Sequence, residues 1–195
     1  MQLFVSCAGY NKLSMPRIVI ADKEFHLYLS SEKIQEQVEV IANQMNSELK
    51  THNVIFIGVL NGAFMFAADL LKRIHLDAQI SFMKVSSYYG TSSGMHVKRL
   101  IGLNEDLKGK TVVILEDIVD TGKTIEDILF QIKGFRPSEI RIATLLLKAE
   151  SFISNVKIDY VGFKIPNRFV VGYGLDYNGY GRNLRNIYML EEVDG

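Results

Sequence analysis

Apolar residues recur along this chain in two rhythms. Continuous runs at 54–60 (VIFIGVL), 111–115 and 140–147 have the length and β-branched content of strands buried on both faces. Helical period fills the gaps between them. Ile34, Val38, Ile41, Met45 and Leu49 recur every three or four residues over 31–49, with Ser30 or Ser31 as cap. A second helix is expected at 63–74 after an Asn61–Gly62 turn, and a third through Ile125, Ile128, Leu129 and Ile132. Short strands are expected at 17–20, 160–165, 169–173 and 186–190, the later ones capping the sheet edge. Residues 79–89 and 97–103 read as a long hairpin with a polar, mobile tip, while 1–16 show no period and read as a loosely held extension. Strands alternating with helices predict an α/β fold, a parallel sheet with helices on both faces.

The chemistry gathers where the run at 111–115 meets a helix start, in TVVILEDIVDTGKT. The strand reads as ending at two carboxylates, Glu116 and Asp117, followed by Asp120, Thr121, Gly122, Lys123 and Thr124. Such an order sets polar groups at the carboxyl edge of a parallel sheet, where open α/β sheets bind ligands. Backbone N–H groups of 121–124 suit a phosphate, with the threonine hydroxyls as further donors. Glu116 and Asp117 only accept when ionised, so they suit sugar hydroxyls or a magnesium shell. Donors beside acceptors match the polarity of a sugar phosphate. A Walker A loop needs glycine at 117, which is aspartate, so that reading fails on spacing. Helix capping by Asp120 or Thr121 explains one residue and leaves the acidic pair without a purpose. The 54–60 run feeds a second strand–turn–helix, whose backbone donors would lie beside the first.

Composition narrows the class. The 195 residues suit one domain, and 48% hydrophobic with 23% charged residues is ordinary for a globular chain. With 22 basic and 22 acidic residues, the neutral balance argues against general nucleic-acid or membrane affinity. A single cysteine, Cys7, precludes an internal disulfide and fits a reducing compartment. No apolar run reaches a membrane span, residues 1–9 lack the build of a signal peptide, and a cytoplasmic location is expected. The four histidines have no metal-ligand spacing.

Candidates for holding a flat heterocycle follow residue 147. Lys148 ends a strand, where it either meets a ring carbonyl or is simply solvated. Phe169 either stacks on a base or belongs to the core. In GYGLDYNGYGRNL, Asp176 and Arg182 suit a metal ion and a pyrophosphate, or else a surface ion pair.

LEDIVDTGKT resembles the phosphoribosyl pyrophosphate (PRPP) motif of the type I phosphoribosyltransferase family, in its hypoxanthine-guanine branch. KIPNRFVVGYGLDYNGYGRNL resembles that branch's purine hood and pyrophosphate loop, and SFMKVSSYYGTSSG its mobile lid. The resemblance implies a Rossmann-like core with a small hood at about 158–190 and a hairpin lid at about 84–100, all in one domain. It implies that Glu116 and Asp117 bind the ribose hydroxyls directly or through magnesium, and that Asp120 is the acid/base opposite purine N7. Thr121, Gly122, Lys123 and Thr124 would cradle the 5′-phosphate. Lys148 would donate to the 6-oxo group, Phe169 stack on the ring and the Val170 backbone touch its edge. Asp176 would serve magnesium and the purine edge, Arg182 the pyrophosphate, and Ser87 and Tyr88 the lid. Leu60, Asn61 and Gly62 would carry a non-proline cis peptide that turns backbone N–H toward pyrophosphate. Asn61 stands where some relatives have a basic residue, and Gly-Tyr-Gly at 179–181 is more flexible than a bulky version.

The implied reaction joins hypoxanthine or guanine to PRPP, giving IMP or GMP and pyrophosphate, with Mg2+ as cofactor and a homodimer or homotetramer as the assembly. One rival is a non-catalytic nucleotide sensor that binds RNA, which the neutral charge disfavours. Another is the same chemistry on a different base, such as xanthine, adenine or a pyrimidine.

Overall fold

The structure is a computed structural model that describes residues 16–89 and 96–191. The expected lid tip at 90–95 and the N-terminal extension through residue 15 lie outside the described residues. In chain order the elements are β1 (Arg17–Ile20), β2 (Lys23–Leu29), α1 (Ser31–Glu48), β3 (Val54–Leu60), α2 (Phe64–Leu71), β4 (Gln79–Tyr89) and β5 (His96–Ile101). They continue as β6 (Thr111–Val119), α3 (Lys123–Lys133), β7 (Glu139–Lys148), β8 (Tyr160–Ile165), β9 (Val170–Val171) and β10 (Ile187–Leu190).

The main sheet has the order β5-β4-β3-β6-β7-β8. Strands β4, β3, β6, β7 and β8 run parallel, and β5 closes the edge antiparallel to β4. Period-two alternation divides the sheet's side chains between two cores. Val54, Phe56, Val113 and Leu115 pack with Ile34, Val38, Ile41 and Met45 of α1 and Phe66 and Leu70 of α2. Ile55, Ile57, Val112 and Ile114 pack with Ile125, Ile128 and Ile132 of α3 on the other face. Burying side chains of this size stabilises by about 1.5–3 kcal/mol each, so these two layers hold the sheet edge in place. Ser30 caps α1, its hydroxyl accepting from the Lys33 N–H at 3.4 Å.

Several elements differ from expectation. β6 does not stop at Leu115 but continues through both carboxylates, because its ladder with β7 runs on to Val119↔Leu147. The alternation changes phase there instead: Ile118 packs against the α1/α2 core and Val119 within the α3 core. α2 ends at Leu71 rather than 74, since the Arg73 guanidinium takes the Asp69 carbonyl (2.7 Å) and Asn46 takes the Arg73 carbonyl (2.8 Å). The strand expected at 160–165 forms, but it pairs with β7 in the main sheet rather than in a cap. The cap is a separate antiparallel sheet of order β1-β2-β10-β9, which joins both ends of the described chain. Its strand β2 was not anticipated, although KEFHLYL places Phe25, Leu27 and Leu29 at period two.

Candidate active site

β6 delivers Glu116 and Asp117 to the carboxyl end of the sheet, and the turn at 120–122 then starts α3. Gly122 has φ 89°, a left-handed conformation that disfavours side chains, and a Cβ there would lie 2.5 Å from Ser154 Cβ. Glycine is thus demanded by both conformation and space. The segment that crowds it is tied down: the Ile153 N–H donates to the Thr121 carbonyl (3.3 Å), and the Ser154 hydroxyl donates to Glu126 (2.7 Å). α3 begins without a side-chain cap; the Lys123 N–H reaches only the Thr121 hydroxyl, at 3.5 Å. A helix mouth so built keeps its first amides available to an anion.

The acidic pair sits in a tight place. Glu116 is 8% exposed, and its Oε2 has no hydrogen-bond partner among the described residues. Burial, and then the Asp117 charge, push its carboxyl well above the usual range. Burial also pushes Asp117 up, to about 6, against the opposing pull of the Ile118 N–H (2.9 Å) and the Arg182 charge. Asp117 rests on the neighbouring strand–turn–helix unit. A Cβ on Gly62 would fall 1.6 Å from Asp117 Oδ2, and the adjoining Leu60–Asn61 peptide is cis. Gly174 in turn abuts the Gly62 carbonyl, which a Cβ would meet at 2.0 Å. Acidic pair, cis turn and the loop after β9 therefore touch through two glycines. A buried unpartnered oxygen beside a raised carboxyl is a hard-oxygen set that fits a small divalent cation. Among the described residues no three His, Cys, Asp or Glu side chains form a ready-made cluster, so a substrate would have to complete the coordination.

Asp120 and Lys148, candidates for two different jobs, come together: Lys148 Nζ lies 2.9 Å from Asp120 Oδ2. The lysine is 13% exposed and the aspartate 46%, so the pair lines the rim with its acceptor outward. Phe169 is 43% exposed and stands edge-on to Tyr177 (5.8 Å, 81°) and tilted on Phe25 (6.3 Å). It forms the open end of an aromatic stack rather than core, while Val170 behind it is buried. Asp176 and Arg182 form an ion pair at 2.5 Å; Asp176 also accepts the Gly179 N–H (2.7 Å), and Arg182 donates to the Gly174 carbonyl (2.6 Å). Ser87 and Tyr88 are placed by backbone register alone, opposite Lys98 and Val97. Sequence reading missed Phe25 and the Phe152–Ser154 buttress under Gly122. The period-two pattern of β2 was the available signal for Phe25; the buttress left none.

Known proteins resemble this chain along most of its length. The phosphoribosyl transferase domain family matches residues 28–178. A bifunctional protein TilS/HprT of Listeria monocytogenes serotype 4b is 39% identical over 164 residues, 84% of this chain, and the chain spans only 25% of that relative's length. A hypoxanthine-guanine phosphoribosyltransferase of Aquifex aeolicus is 36% identical over 175 residues, covering 89% of this chain and 98% of the relative. A crystal structure of a hypoxanthine phosphoribosyltransferase from Staphylococcus aureus superposes with a TM-score of 0.78 at 36% identity, covering 85% and 91% of the two chains.

Proposed function

This chain belongs to the phosphoribosyl transferase family, and we propose that it is a purine-salvage hypoxanthine phosphoribosyltransferase. It moves the 5-phosphoribosyl group of PRPP onto hypoxanthine, and onto guanine, releasing IMP or GMP and pyrophosphate. The observation that carries this reading is the Lys148–Asp120 pair at 2.9 Å beside the helix mouth. A 6-oxopurine carries an acceptor, O6, next to N7–H, a donor. An ammonium beside a carboxylate is the complement of that edge. Adenine presents an amino group to the lysine and is mismatched.

The mechanism follows from the same residues. Amides of 121–124 hold the 5′-phosphate, and Glu116 and Asp117 hold the ribose hydroxyls. Phe169 stacks on the base, the Val170 backbone lies along its edge, and Lys148 fixes O6. The bond from C1 of the ribose to pyrophosphate breaks ahead of full bonding to N9, so positive charge develops on the sugar. N9 supplies the electron pair, and the N7 proton passes to Asp120, a general-base contribution of about 10²–10⁴ in rate. Arg182 and the backbone at Asn61–Gly62 receive the leaving pyrophosphate. Glu116 and Asp117 on one side and Asp176 on the other would hold magnesium together with substrate oxygens, and the ion would, when bound, neutralise charge on that group. The β4–β5 hairpin, with Ser87 and Tyr88, serves as the lid that excludes water, and the four-stranded sheet is the purine hood within one domain.

Among the described residues no helix is long and apolar enough to cross a membrane, which is compatible with the cytoplasmic location we propose. Ile80 and Phe82, two apart on β4 and exposed, give apolar surface to the homodimer or homotetramer that belongs to the same reading. The test is pyrophosphate release from PRPP with hypoxanthine, guanine, xanthine, adenine and uracil. Release with the first two and background with adenine and uracil is expected. Fastest release with adenine, or release that ignores the base, contradicts the proposal. Nucleotide and RNA binding without release would support a sensor instead.

A further inference from the structure

Behind the site, three successive residues adopt left-handed backbone: Gly172 (φ 102°), Tyr173 (φ 50°) and Gly174 (φ 99°). Glycine occupies such positions readily, whereas a bulky aromatic there is unusual. Tyr173 is 2% exposed and held at both ends. Its N–H donates to the Leu184 carbonyl at 2.7 Å, and its hydroxyl donates to Asp69 Oδ2 on α2 at 2.8 Å. Asp69 is fixed by Gln35 of α1 (2.7 Å) and Lys72 (2.9 Å), and Gln35 by Arg73 (2.8 Å). Burial and the Asp69 acceptor push the Tyr173 hydroxyl far above the phenol range, so it remains a donor at any working pH.

The next residue along is Gly174, which presses on the Gly62 carbonyl and whose own carbonyl accepts from Arg182. Gly62 presses on Asp117. The Tyr173 hydroxyl, anchored on Asp69 of α2, therefore sets the height of the loop whose two neighbours, Gly62 and Arg182, would face pyrophosphate. The phosphate cradle at 121–124 lies on the other unit and is braced separately by Ile153 and Ser154.

Resting on the reading above, we propose that Tyr173 and Asp69 are a positioning pair that acts mainly on the pyrophosphate half of the site and much less on the nucleotide half. Neither side chain is catalytic; they act through Gly174, Gly62 and Arg182.

The experiment compares wild type, Tyr173→Phe, Asp69→Asn and Tyr160→Phe. Tyr160 is the matched control: 1% exposed, with its hydroxyl donating to Glu48 at 2.9 Å, at the other end of α1 from Gln35 and at the start of β8, the sheet end opposite the site. Calorimetry gives the affinities for pyrophosphate and IMP, both with magnesium, and initial rates give KM for PRPP and hypoxanthine. Tyr173→Phe should weaken pyrophosphate binding and raise KM for PRPP about tenfold, the effect of one lost hydrogen bond. IMP affinity should fall by no more than about threefold, because its phosphate and base are held by 121–124, Lys148 and Phe169 and only its ribose contact, Asp117, adjoins Gly62. KM for hypoxanthine should stay within about twofold. Asp69→Asn, which keeps one acceptor for the tyrosine, should give a smaller loss in the same direction and supplies the answer if Tyr173→Phe fails to fold. Tyr160→Phe should lower Tm and leave every constant alone. Equal loss of IMP and pyrophosphate affinity, no loss of either, or the same pattern in Tyr160→Phe overturns the pair. Wild type that binds neither PRPP nor pyrophosphate overturns the underlying functional reading, a distinguishable result.

Discussion

β3 and β6 are neighbours in the sheet, and each runs into a glycine-bearing turn and a helix, yet they equip the site in opposite ways. The β6 unit supplies side chains: Glu116, Asp117 and Asp120, then an amphipathic helix whose first amides are open. The β3 unit supplies main chain: a cis Leu60–Asn61 bond, a bare Gly62 and a helix with no side-chain cap at Ala63. The two are not independent. Gly62 leaves the room into which Asp117 fits, so the unit that brings no charge to the site shapes the unit that does.

The sharpest way to break that contrast is Asp120→Asn on the β6 unit. Turnover should fall by about 10²–10⁴ while PRPP affinity holds, measured by single-turnover rates against calorimetry. Loss of PRPP affinity at constant turnover contradicts the proton-carrier role. Gly62→Ala then tests the other unit. Its methyl collides with Asp117, and kcat/KM should drop by about 10², the scale of an ångström-size misplacement. Phe169→Ala lies outside both units and should raise KM for hypoxanthine about tenfold, a stacking loss of roughly 1–2 kcal/mol, with KM for PRPP little changed.

Asp117→Asn comes last because the effect to be measured is on stability rather than on binding or turnover. Burial holds the native Asp117 pKa near 6, above its ordinary 3.8, so the native state takes up a proton that the unfolded chain has already lost. The stability this group contributes is complete below about pH 4 and is lost as pH rises through about 6. Without ligands, the substitution should therefore be neutral near pH 4 and stabilising above pH 7, by about 1–3 kcal/mol. Thermal melts across that range check it, and a gap that ignores pH refutes the assignment.

How much of this was legible beforehand depended on how local the cause was. α1 was expected at 31–49 and runs Ser31–Glu48, because its period and Ser30 cap are written in adjacent residues. The acidic pair and Gly122 turn were legible for the same reason. β6 was read as ending at Leu115 because charge normally stops a buried strand, and only the β7 ladder explains its continuation. The cap's pairing of β2 with β10 and the Tyr173–Asp69 bond join residues more than a hundred positions apart, and no local rhythm encodes them. The shortness of α2 goes with the Arg73 guanidinium, which takes the Asp69 carbonyl while the Arg73 N–H turns to Leu70.

Crystals grown with IMP, pyrophosphate and magnesium test the division of labour most directly. The phosphoryl group of IMP should sit on the amides of 121–124, with pyrophosphate between Gly62 and Arg182. Density that puts pyrophosphate on the helix mouth, or the nucleotide away from Asp120 and Lys148, would contradict the account.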